Sequence, residues 1–146
     1  MNRIVNAVDK YNDGYACSQA ILSEYSALFD LNPDIALKLA SGFAGGMRMG
    51  RTCGAVTGAY MVLGLRFGDC NCSKIEGRQY VYRAVCEFTR KFKEIYGSTD
   101  CMDLLDYDIS TKQGSQAVKE QNPSRTHCSQ FIETSGRLLE QFIDKT

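Results

Sequence analysis

The chain has 146 residues, 44% of them hydrophobic and 23% charged, a balance that fits one globular domain, residues 1–146, large enough to bury a core. Lys plus Arg and Asp plus Glu each total 17, so the formal net charge is zero and the basic footprint of a nucleic-acid binder is missing. One histidine, His127, rules out any multi-histidine metal site. The longest apolar stretch, about Ala55 to Phe67, is broken by glycine and too short for membrane insertion.

The opening segment "MNRIVNAVDKYNDGY" carries no apolar run and no small-residue cleavage signal, so the expected location is cytoplasmic. In a reducing compartment, cysteines bind metal or do chemistry more often than they form structural disulfides. That matters here because there are seven: Cys17, Cys53, Cys70, Cys72, Cys86, Cys101 and Cys128.

Helical spacing dominates the chain. Ile4, Ala7, Val8 and Tyr11 share one helix face before Gly14 breaks the pattern. A second helix carries Ala20, Ile21, Tyr25 and Leu28, and a third, opening at Pro33, carries Ala36, Leu39, Ala40 and Phe43. The glycine-rich "GFAGGMRMGRTCG" reads as a loop with close backbone approaches. A central helix over about 53–67 follows, apolar nearly all round and so expected to be buried on most sides. After "GDCNC" comes a long amphipathic helix with Val81, Val85, Phe88, Phe92 and Ile95 inward and a basic excess outward, read as a solvated face. Residues 106–127 are polar, with one short helix around Lys112 to Glu120, and a last helix carries Phe131, Ile132, Ser135, Leu138, Leu139, Phe142 and Ile143. No stretch alternates like a strand. The expected class is all-α, a compact bundle of five to seven helices around the central one.

Four cysteines share one kind of position. Cys17 follows the Gly14 break, Cys53 the glycine-rich loop, Cys101 "GSTD" and Cys128 "NPSRTH", so each stands at the start of a helix. A helix N-terminus offers free N–H groups and about half a positive charge, which favours a thiolate. Four such ends aimed at one point would suit a thiolate centre, although any one cysteine would also serve as a small core residue. Cys86, mid-helix beside Val85, reads as inert packing. Cys70 and Cys72 form a C-x-C in a short loop and read as incidental exposed cysteines, with a thiol pair or extra ligands as the other option. His127, beside Cys128, reads as a polar loop residue, with an extra ligand or a nearby base as the other option.

Other chemistries fail on detail. No G-x-x-x-x-G-K-[ST] is present, no strand precedes the glycine-rich loop, and no third group orients a Cys–His pair. Gly54 and Gly58 form a G-x-x-x-G that marks close helix packing.

"YACSQAIL", "GGMRMGRTCGAVTGAYMVLGL", "GSTDCMDLL" and "RTHCSQFI" together resemble the redox-active family named for its C_GCAxxG_C_C pattern, over nearly the whole chain. The order here is Cys-Gly-Ala, so CGAxxG is taken as the central motif. The resemblance implies a small helical protein with redox activity at Cys17, Cys53, Cys101 and Cys128, and with Gly54, Ala55 and Gly58 as close-packing neighbours. Three readings follow. The favoured one is a [2Fe–2S] or [4Fe–4S] iron–sulfur cluster on the four thiolates, used for electron transfer with a redox partner protein. The second is a thiol–disulfide enzyme or sensor, with pairs such as Cys17–Cys53 and Cys101–Cys128. The third is a structural zinc site or a helical binding module. A homodimer is compatible with any of them.

Overall fold

The first helix starts where Asn2 turns its side-chain oxygen onto the N–H groups of Ile4 and Val5, at 3.0 and 3.2 Å. Such a cap satisfies donors that the first turn leaves unpaired. The computed structural model describes residues 2–121 and 127–144. Eight α-helices run through them: α1 (Arg3–Asn12), α2 (Cys17–Ser26), α3 (Pro33–Ala40), α4 (Gly54–Phe67), α5 (Gln79–Tyr96), α6 (Cys101–Leu105), α7 (Lys112–Gln121) and α8 (Ser129–Ile143). The all-α class is as expected, α7 falls where a short helix is expected, and the five-residue α6 brings the number among the described residues to eight. Among the described residues the only strand-like feature is an isolated antiparallel bridge between Thr52 and Asp100. No helix among them is long and apolar enough to cross a membrane. Most of "NPSRTH", ahead of Cys128, lies outside the described residues.

The core is centred on α2 and α4. Ile21, Leu22 and Tyr25 of α2 and Val56, Val62 and Leu63 of α4 are buried almost completely, and each large aliphatic among them contributes about 1.5–3 kcal/mol by leaving water. α2 packs chiefly on α4 and α3, and α8 closes the bundle against α1 and α4. α5 lies over α4 and α8 through an aromatic cluster in which Tyr96 and Phe131 meet edge to face at 4.9 Å. The Arg3 guanidinium forks onto Glu140 at 2.9 and 2.7 Å, and the Tyr25 hydroxyl donates to the same carboxylate at 3.0 Å, joining α1, α2 and α8.

The inner faces read from spacing hold in the middle of each helix and fail at the ends. Leu28 and Phe43 stand beyond the C-termini of α2 and α3, and Leu39 and Ile95 lie in the last turns of α3 and α5; all four are exposed. A second correction concerns Cys86, expected as packing and found exposed. It lies two residues from both Ala84 and Phe88, which are buried, so a period of 3.6 turns it to the opposite face.

Gly58 sets the spacing of α2 and α4. A Cβ there would stand 3.0 Å from the Ser18 carbonyl oxygen and 3.1 Å from the Ile21 Cβ. Gly64, on the same helix, has nothing within 4 Å of that position. Chemical denaturation should separate the two: Gly58→Ala is expected to lose about 1–3 kcal/mol through overpacking, and Gly64→Ala to gain about 0.5–1 kcal/mol from helix propensity. Equal effects would mean that the α2–α4 crossing does not depend on Gly58.

Candidate functional site

Cys17 is the first residue of α2, and its position is fixed locally. The Gln19 side chain accepts the Ala16 N–H at 3.0 Å and donates to the Leu37 carbonyl at 3.0 Å, holding the helix start against α3. Ser18 donates to the Ala40 carbonyl at 2.8 Å in the buried space beside it. The first turn of α2 therefore stands firm over the first turn of α4.

Cys53 caps α4, its carbonyl accepting from Val56 and Thr57, both at 2.9 Å. Gly54 follows, and a Cβ there would collide with the Cys17 sulfur. The missing side chain is what lets the two thiols meet. On its other side, Cys53 is tied to the segment that carries Cys101. The Cys53 N–H donates to the Thr99 carbonyl at 2.7 Å and the Cys101 N–H to the Arg51 carbonyl at 2.6 Å, flanking the Thr52–Asp100 bridge. Two short backbone bonds thus set Cys53 and Cys101 side by side although almost fifty residues separate them in the chain. Cys128 caps α8, whose Phe131 is fixed by the aromatic cluster with α5.

All four cysteines line one cavity of about 250 Å³. Its walls are largely apolar, with Leu104, Leu105, Ile109, Val118 and Phe131 among them, and Arg48 and Lys119 are its cationic residues. Sequence reasoning found the cysteines and Gly54 but missed Arg48, Lys119 and Tyr11, because nothing in local spacing marks which distant side chains share a cavity. Gly58 lies one turn along α4, against Ser18 and Ile21, as a packing neighbour. Ala55 is fully buried.

One thiol of the four, Cys17, is acidified, and Cys53 rather than the helix start is the largest cause. The Cys53 thiol donates to Cys17, and the N–H groups of Gly45, Ser18 and Cys17 itself add to that donation. Burial opposes them, and the net effect brings Cys17 down to about 7 from the usual cysteine value. Cys53 is pushed well above its usual value, first because its proton is held by Cys17 and then by burial. Burial, followed by repulsion from Cys128 and Cys17, pushes Cys101 up to about 12, against the pull of Arg48. Burial and the Cys17 charge take Cys128 to about 11, although the Tyr11 hydroxyl donates to it. Desolvation in an apolar cavity outweighs the dipole of a helix start.

The remaining candidates stand apart. Cys70 and Cys72 are exposed, as expected, and Cys86 lies on the outer face of α5. His127 is exposed and is not part of the cavity wall. Among the described residues, no three His, Cys, Asp or Glu side chains are gathered closely enough to hold one metal ion. A zinc ion needs such a tetrahedral gathering. In a cubane iron–sulfur cluster each thiolate takes a different iron, so its ligands stand farther apart, and a cavity bordered by all four cysteines is the kind of donor set it uses.

Among the described residues the fold is all-α, and one cavity is lined by Cys17, Cys53, Cys101 and Cys128. Residues 15–142 match the family described as putative redox-active protein (C_GCAxxG_C_C), and the chain belongs to it. No curated protein and no solved structure gives a match.

Alkylation followed by peptide mass mapping reads the four thiols separately. Cys17 is expected to label with a midpoint near pH 7, with Cys101 and Cys128 following only in strongly alkaline solution. In Cys53→Ala the Cys17 midpoint should rise by about one unit or more, since the first cause of its acidity is lost. A midpoint unmoved by that substitution would remove Cys53 as the cause.

Proposed function

We propose that the chain is a thiol–disulfide redox protein in which Cys17 is the attacking thiolate and Cys53 the resolving thiol. The observation that carries this reading is the meeting of Cys17 and Cys53 at the α2–α4 crossing, where a Cβ on Gly54 would collide with the Cys17 sulfur; beside Cys53 the Cys17 thiol is lowered to about 7, while Cys53 is pushed up. A thiol whose pKa lies near ambient pH combines thiolate population with nucleophilicity best.

The chemistry balances within the pair and a disulfide substrate. The Cys17 thiolate attacks one sulfur of the substrate, the substrate S–S bond breaks, and one substrate thiolate leaves carrying the electron pair. Cys53 gives its proton to that thiolate and attacks the Cys17 sulfur in the mixed disulfide, releasing the second substrate half as a thiolate. The substrate gains two electrons, and Cys17 and Cys53 lose two in forming their disulfide. In the opposite direction the same steps make the pair an oxidant.

A second reading, the iron–sulfur centre for electron transfer, is supported by the convergence of Cys17, Cys53, Cys101 and Cys128 on one cavity. Those four would be its ligands, and the cluster would supply one-electron chemistry.

Equilibration in graded thiol–disulfide buffers, acid quenching and disulfide mapping test the first reading. A Cys17–Cys53 bond should form first, vanish in Cys17→Ser and persist in Cys101→Ser and Cys86→Ser. If Cys101–Cys128 formed first, or if no disulfide formed, the assignment would fail. Protein purified anaerobically with stoichiometric iron and sulfide, lost in Cys53→Ser and kept in Cys86→Ser, would instead establish the cluster.

A further inference from the structure

Apart from the thiols, the charged side chains on the cavity wall are cations among the described residues. Arg48 and Lys119 line it, and among the described residues no Asp or Glu does. Asp100 lies next to Cys101 in the chain but is not part of the wall. Neither cation forms an ion pair with another described residue. Both are exposed, at the solvent side of a cavity whose Cys53 and Cys101 are only 4% and 6% exposed.

The placement of Arg48 carries a conformational cost. Gly45, Gly46, Met47 and Arg48 run consecutively through the left-handed region, with φ of 64°, 62°, 57° and 61°. The two glycines adopt it freely, whereas residues with a Cβ lose about 1–2 kcal/mol each. Strain of this kind, kept at the edge of a reactive cavity, is characteristic of functional sites. The turn is also bound to the thiols: the Gly45 N–H donates to Cys17, Arg51 N–H donates to the Gly46 carbonyl at 3.2 Å, and the Arg48 charge acts on Cys101.

Size narrows the occupant. A cavity of about 250 Å³ lies just below the ~300–1,000 Å³ usual for drug-sized ligands, so its occupant is smaller than those.

We infer that the cavity binds a small organic disulfide bearing carboxylate groups, with its S–S bond at Cys17 and its carboxylates at Arg48 and Lys119. The inference rests on the dithiol reading above and names the substrate class for it. The aliphatic walls cover the carbon chains, and the two cations pair with the anionic ends. The exchange is the one written above, with the carboxylated disulfide as electron acceptor and two carboxylated thiols as products.

Three small disulfides of similar size test it: dithiodipropionate as the dianion, hydroxyethyl disulfide as the neutral probe and cystamine as the dication. Single-turnover formation of the Cys17–Cys53 disulfide by the full chain is timed with each, and each rate is divided by that probe's rate with a free thiol. The expected order is dianion, neutral, dication, with about tenfold or more between the extremes at low salt. The spread should shrink in molar salt, where screening reaches ~3 Å. It should also collapse in the double variant Arg48→Asn with Lys119→Gln, asparagine being chosen because it tolerates the left-handed backbone. Equal normalised rates, or a charge order that survives both salt and the double variant, would overturn the substrate class and leave the dithiol reading standing. Failure of all three probes to produce a Cys17–Cys53 disulfide would overturn both.

Discussion

A Cβ at position 54 would take the space that the Cys17 sulfur fills, and one at position 58 would press on Ser18 and Ile21. The crossing of α2 and α4 is therefore set by two missing side chains, and the chemistry at the crossing depends on it. Because the first turns of both helices meet there, the cysteine that opens one lies against the cysteine that caps the other. A larger residue at 54 would separate the thiols and leave each with the ordinary behaviour of a buried cysteine. The rest of the bundle keeps that crossing in place: the Arg3–Glu140–Tyr25 cluster joins α1, α2 and α8, and the aromatic cluster anchors α5 to α8.

Four cysteines at four helix starts do not become four equal thiols. Each sits where the backbone could favour a thiolate, yet Cys53 is held protonated first by Cys17 and then by burial, and for Cys101 and Cys128 burial and neighbouring negative charge win. Cys17 escapes because it gathers a thiol donor and three backbone donors, one of them from the left-handed turn at Gly45. The same turn brings Arg48 to the cavity. One strained loop thus serves both the reactive sulfur and the charged side of the site.

The helices and the four helix-start cysteines were legible in the sequence because both rest on local patterns: a period of 3.6, a proline or glycine break, a polar residue ahead of an apolar run. Cys86 was legible too and was misread, since its distance of two from Ala84 and Phe88 already turns it outward. The apolar residues Leu39 and Ile95 lie exposed in the last turns of α3 and α5, and Leu28 and Phe43 lie exposed beyond α2 and α3, where the 3.6 period no longer applies. The convergence of the cysteines depends on the bridge between Thr52 and Asp100 and on the Gly54 contact. Neither can be read from composition or spacing. The run of four left-handed residues was visible only as a glycine-rich loop, because Met47 and Arg48 are side chains that rarely adopt that backbone.

The measurement closest to the central claim is the ultraviolet thiolate absorbance of the full chain followed through a pH titration. In the difference between the full chain and Cys17→Ser, one thiolate should appear with a midpoint near pH 7, and in Gly54→Ala, where the added methyl group parts the two sulfurs, it should move toward the ordinary cysteine value. If the full chain and Cys17→Ser gave the same curve below about pH 8, or if Gly54→Ala left the midpoint in place, the close approach of α2 and α4 would not be the origin of the site's reactivity.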